Sequence, residues 1–159
     1  MNKLITASEV RTLAFIDQNI NTSKIKDAYI EVAQEQYLRP LWGDDFYDEV
    51  LAAYDTSPYT TLITQYKPAL AYYVKYIALP EIMVQITDKG ALLANSGSGN
   101  PLDSKGRGDV RAVTLQMAET YSDIATRWLE QDTQRAIYTT YKKNDNVRNR
   151  ITRKGGLII

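Results

Sequence analysis

Apolar positions recur at three- and four-residue spacing along most of the chain, the period of helices that bury one side. Thr6 and Ser8 offer caps for a short first helix through Glu9, Leu13 and Phe15. Asn21-Thr22-Ser23 is a second capping cluster, with Asp27 in the first turn that follows. Ile25, Ala28, Tyr29, Val32, Ala33 and Tyr37 then fall on one helical stripe. Pro40 and Gly43 are expected to end that helix, with Trp42 packed in the corner. Asp44 or Asp45 opens the next helix, whose apolar side is Phe46, Tyr47, Val50, Leu51 and Tyr54.

Asp55-Thr56-Ser57-Pro58 reads as a turn into a further helix, with proline tolerated at its first position. Tyr59, Leu62, Ile63 and Tyr66 supply that stripe. From about Ala69 to Ile86 the chain is apolar nearly all round, which predicts the central, most buried helix. Pro68 and Pro80 punctuate it, and Pro80 should kink or break it. Residues 95–108 hold four of the eight glycines and read as a long flexible loop. Asp109 opens the last long helix, with Val110, Val113, Met117, Tyr121, Ile124 and Trp128 at helical spacing. Continued to Tyr141, it would be about 45–50 Å long at 1.5 Å per residue, so its far end should protrude or meet another chain. The expected fold class is all-α: a helical bundle over 1–143 with one long central and one long C-terminal helix, the loop 95–108, and an extended arm over 144–159. There is no internal repeat.

Composition narrows the chemistry more than the fold. The 159 residues, 44% hydrophobic and 24% charged, suit one globular domain. No apolar run is long enough to span a bilayer, and the first residues lack a signal-peptide core, so no membrane role and synthesis in the cytoplasm are expected. Cysteine and histidine are both absent, which excludes disulfides, Ser-His-Asp and Cys-His catalysis, and the usual zinc sites. The expectation is no catalytic residue, no metal and no cofactor. Asp44, Asp45, Asp48, Glu49 and Asp55 offer carboxylates for a hard cation, but they lack the spacing of a calcium loop and suit a helix start. Ser104-Lys105-Gly106 has the wrong order and context for a phosphate loop.

The formal net charge is zero but unevenly spread. From Lys142 onward six basic residues face one acid, Asp145, which leaves 13 basic and 18 acidic residues before it. The arm then ends in Leu157-Ile158-Ile159 after Gly155-Gly156, an apolar stretch that cannot form its own core. Arg148, Arg150, Ile151, Arg153, Lys154, Leu157, Ile158 and Ile159 are therefore the candidate partner-binding residues of the arm, with Lys105 and Arg107 in the loop. An alternative reading is a nucleic-acid-binding module that uses the basic tail, with salt-dependent affinity. The twelve tyrosines would suit a stacking platform, yet most lie on helical apolar stripes, where aromatics fill a core.

Ser23 to Gly90 resembles helical proteins of tailed-phage virions. The likeness rests on the helix Ala28–Leu38, Pro40-Leu41-Trp42-Gly43 with Phe46-Tyr47 and Leu51, Ala69-Leu70-Ala71-Tyr72-Tyr73, Pro80, and Thr87-Asp88-Lys89-Gly90. This pattern is similar to small head-to-tail connector (adaptor) proteins, especially those of Bacteroidota-infecting and crAss-like phages. The resemblance implies a structural virion protein at the head–tail interface, in a homo-oligomeric ring, commonly a dodecamer. Such a ring docks below the portal protein, meets the next tail or ring component, and lets DNA pass through its lumen without sequence specificity.

Overall fold

The computed structural model describes residues 2–15, 20–87, 90–93 and 104–142. The architecture is helical, with one small antiparallel hairpin. In chain order the elements are α1 (Ala7–Ala14), a 3₁₀ turn (Thr22–Lys24), α2 (Asp27–Ala33), a π turn (Gln34–Leu38), α3 (Arg39–Trp42) and α4 (Asp44–Ala52). There follow α5 (Tyr59–Ile82), β1 (Val84–Thr87), β2 (Gly90–Leu93), α6 (Ser104–Leu129) and α7 (Asp132–Ile137). Helix α5 is the central one: α1, α2 and α6 all pack along it.

Thr6 caps α1 as its sequence suggests, in a reciprocal box with Glu9. Asn21 caps only the 3₁₀ turn, and α2 starts after Lys26 without a side-chain cap. Its buried side is Ile25, Tyr29, Ile30 and Ala33, while Ala28 and Val32 of the expected stripe are exposed. Pro40 does not end this helix. The π turn lies directly before it, and a wider turn relieves the clash of a proline ring with the carbonyl four residues back. The break comes at Gly43, whose φ of 81° and ψ of 154° suit glycine alone. Gln34, fully buried in the π turn, accepts from Leu4 N at 2.8 Å and donates to Asn2 O at 3.1 Å, which pins the N-terminal segment to the bundle.

Two expected helices around Pro68 are one. Helix α5 runs through Pro68 and Pro80 and ends at Ile82, two residues past the second proline. A proline inside a helix costs about 3 kcal/mol. Against that, Leu62, Ile63, Tyr66, Leu70, Tyr73 and Val74 are all buried on α5, each contributing about 1.5–3 kcal/mol. Burial wins. The carbonyl that Pro68 leaves without its helical donor belongs to Thr64, an exposed residue, so water can serve it. Beyond Pro80 the expected helix is corrected: Val84–Ile86 lie in β1, which pairs with β2 in the register Val84↔Leu93 to Thr87↔Gly90.

The core joins both ends of the described chain. Trp42 meets Tyr66 edge-on at 5.0 Å between ring centroids, and also packs against Phe46. Phe46 in turn meets Tyr138 and Tyr141. The last long helix therefore does not run out to Tyr141. It stops at Leu129, α7 follows, and Tyr138 and Tyr141 fold back into the core, with Tyr138 Oη donating to Pro58 O at 2.8 Å.

Candidate interaction surface

Helix α6 carries two apolar faces, and the sequence pattern points to the wrong one. The face against α5 is built from small residues: Thr114, Ala118, Ser122, Ala125 and Thr126 are buried, with Leu129 at the end. Small side chains let the two backbones approach. Tyrosines of α5 then fill the flanks: Tyr66 Oη and Thr126 Oγ1 are 3.0 Å apart, and Tyr72 stacks on Tyr121 at 5.5 Å. Tyr76 lies under the Arg111 guanidinium at 4.7 Å. The larger residues read as the buried stripe sit to one side. Val110, Met117, Tyr121 and Trp128 are half-buried, while Val113 is 59% and Ile124 49% exposed. Eleven residues are just over three whole helical turns, so Val113 and Ile124 share one outward line.

On the opposite flank of the α5–α6 seam, tyrosines and carboxylates meet. Tyr37 stacks on Tyr73 at 3.9 Å. Burial and the neighbouring Tyr76 push the Tyr37 hydroxyl up to about 12. Burial, then the Asp123 charge one turn on, holds the Glu119 carboxyl above the ordinary carboxylate range. Packing excludes water from both groups, which disfavours their charged forms.

The α1–α5 seam is polar in a different way. Lys67 Nζ meets Glu9 Oε1 at 2.5 Å, and Lys75 Nζ donates to the α1 carbonyl of Ala14 at 2.8 Å. Burial pushes the Glu9 carboxyl up, but the bonds from Lys67 and Thr6 outweigh it and hold the group below its ordinary value. Burial lowers Lys75, which also lies over the Phe15 ring.

The expected site residues fare unequally. Arg148, Arg150, Ile151, Arg153, Lys154, Leu157, Ile158 and Ile159 lie outside the described residues, as does 95–103 of the loop. Lys105 and Arg107, expected in that loop, are in the first turns of α6 instead. Gly106 and Gly108 hid this, since each costs about 1 kcal/mol in a helix interior. The acidic group of α4 is engaged within the fold. Arg39 pairs with Glu35, Asp44 and Asp48 at 2.7–2.9 Å, Tyr59 Oη donates to Glu49, and Asp45 lies 4.0 Å from Lys142. Among the described residues no group of three or more carboxylates is placed to hold a metal ion. The tyrosines weighed as a stacking platform are largely core: Tyr29, Tyr47, Tyr66, Tyr73, Tyr138 and Tyr141 are buried. No helix among the described residues is long and apolar enough to cross a membrane.

No curated protein and no solved structure matches the chain. A family model described as "Family of unknown function (DUF6712)" matches residues 21–151, from the 3₁₀ turn through α7 and on to Ile151. That span is well over half of the 159 residues, and the chain belongs to this family.

Proposed function

We propose that the protein is a non-enzymatic structural subunit of a tailed-phage virion, a head-to-tail connector that assembles into a ring below the portal. The observation that carries this reading is the uncovered stripe of α6. The fold already has a complete aromatic core, yet it leaves Val113 and Ile124 in water beside four half-buried apolar neighbours. Large contiguous apolar surface on a folded chain marks a binding face. The resemblance of Pro40-Leu41-Trp42-Gly43 and its flanks to phage adaptors supplies the kind of assembly, and the basic, apolar-tipped segment 144–159 supplies a second contact element.

In this reading the bundle packs side by side with its copies in a dodecameric ring. Residues 144–159 reach a neighbour or the portal protein, and residues 95–108 face the DNA channel or the next ring component. DNA passes through the lumen without sequence recognition. The test is deletion of residues 144–159. Ring incorporation should be lost while the helical circular dichroism signal stays intact. Unimpaired assembly of the shortened chain would overturn the proposal.

A further inference from the structure

The stripe of α6 runs from Val110 to Trp128, about 27 Å at 1.5 Å per residue. Single apolar residues at a surface are ordinary, but a continuous run with Val113 and Ile124 largely in water is a face waiting for a partner. Resting on the assembly reading above, we propose that this stripe is the seat of residues 143–159 of a second copy of the chain.

Three observations favour that occupant. The first is reach. Seventeen residues follow Lys142, up to about 55–60 Å when extended, against a radius of gyration of about 15 Å for a compact chain of this length. The segment can leave its own body and cross a neighbour. The second is chemistry. Ile151 and Leu157-Ile158-Ile159 match an apolar strip, and the five cations between Lys143 and Lys154 meet Asp109, an exposed acid one turn before Val113. The third is the point of departure. Tyr141 is buried against Phe46, and Lys142 faces Asp45 of α4, so residue 143 follows on from beside α4, near the Trp128 end of the stripe, where Tyr138 packs on Trp128. Segment and stripe are different parts of one chain, so their pairing between two copies is the head-to-tail contact by which identical copies close a ring.

The chain has no cysteine, so a disulfide can report the contact directly. A bond forms only where the two Cα atoms come within about 7 Å. Ile124→Cys and Ile158→Cys are made as separate single variants, mixed and oxidised, with native mass measurement alongside. The expected result is a two-chain disulfide in the mixture, about tenfold above either variant alone, within an oligomer. Ile124→Lys, at an exposed position, should keep its helical signal and weaken self-association about tenfold, close to 1.4 kcal/mol. Ile124→Cys bonding to itself would overturn the proposal in favour of stripe on stripe. An Ile124→Cys/Ile158→Cys double variant that closes within one chain at high dilution would overturn it in favour of the chain's own segment. An oligomer that forms without the 124–158 bond would sink this inference and leave the assembly reading standing. A protein monomeric at every concentration and absent from rings would sink both.

Discussion

The two faces of α6 invert the usual relation between side-chain size and burial. Thr114, Ala118, Ser122 and Ala125 are buried, while Val113 and Ile124 are in water. The difference lies in the partner. Helix α5 presents Tyr66, Tyr72, Tyr73 and Tyr76 toward this seam, and bulky rings on one helix need small residues on the other for the axes to come within packing distance. Large residues on α6 are then displaced to the flank, where Tyr72 and Tyr138 cover Tyr121 and Trp128 only in part and Val113 and Ile124 lie in water. The covered face holds the fold together, and the uncovered one is the face that the proposal assigns to assembly.

Overpacking the small face should break the comparison most severely. Ala118→Leu puts three further carbons where Ala118 is fully buried, and overpacking a filled core typically costs about 1–3 kcal/mol. For a chain of this size each kcal/mol lowers Tm by about 2–4 °C. Ile124→Ser on the other face should stay within about 0.5 kcal/mol, as exposed substitutions do. Thermal unfolding of both variants side by side decides the matter, and equal losses would mean that the stripe is buried in the free protein.

A milder break removes one bond from the covered face. Thr126 Oγ1 donates to Ser122 O and accepts from Tyr66 Oη, both buried. Thr126→Val should cost about 1–2 kcal/mol because it leaves the tyrosine hydroxyl unpaired in the core. Adding Tyr66→Phe should return much of that loss, since the hydroxyl that lost its partner is then gone as well. A denaturant-unfolding double-mutant cycle with strictly additive losses would show that the two hydroxyls do not bond.

How legible this was in the sequence depends on which residues carried the signal. Thr6 with Glu9 marked α1, Gly43 marked the corner, and the tyrosine-rich run marked the central helix, because capping, backbone freedom and overall apolarity are local properties. The seam on α6 was not legible. Periodicity reads large apolar residues as the core side, and Thr114, Ala118 and Ser122 weigh little on that scale although they fit the tyrosines opposite. The hairpin was missed for a related reason: Val84 and Ile86 prolong an apolar run, and only their alternation with Gln85 and Thr87 distinguishes strand from helix. The return of Tyr138 to Phe46 and Pro58 depends on residues 80 or more positions away, which no local pattern contains. The partner-binding arm remains a sequence proposal whose proposed seat, the α6 stripe, became visible only once the small face was known to be the covered one.

The smallest effect sharpens the comparison through pH. Glu119 sits at the edge of the covered face, and burial, then Asp123, raises its carboxyl above the ordinary carboxylate range. A carboxyl with a raised folded pKa contributes stability that is fully present below its unfolded value and is lost as pH rises through the folded one. Glu9 on the α1–α5 seam has the opposite sign: its lowered pKa gives stability present above 4.5 and lost as pH falls through the folded value. Glu119→Gln should therefore stabilise the protein at pH 7 by no more than about 0.5 kcal/mol, and the gain should vanish below pH 4. Glu9→Gln should destabilise at pH 7 and converge with the parent over the same acid range. Tm measured from pH 3 to 8 separates the two seams. A Glu119→Gln curve parallel to the parent at every pH would mean that this carboxyl is as hydrated as Ile124, and that the α5–α6 seam is open on that flank as well.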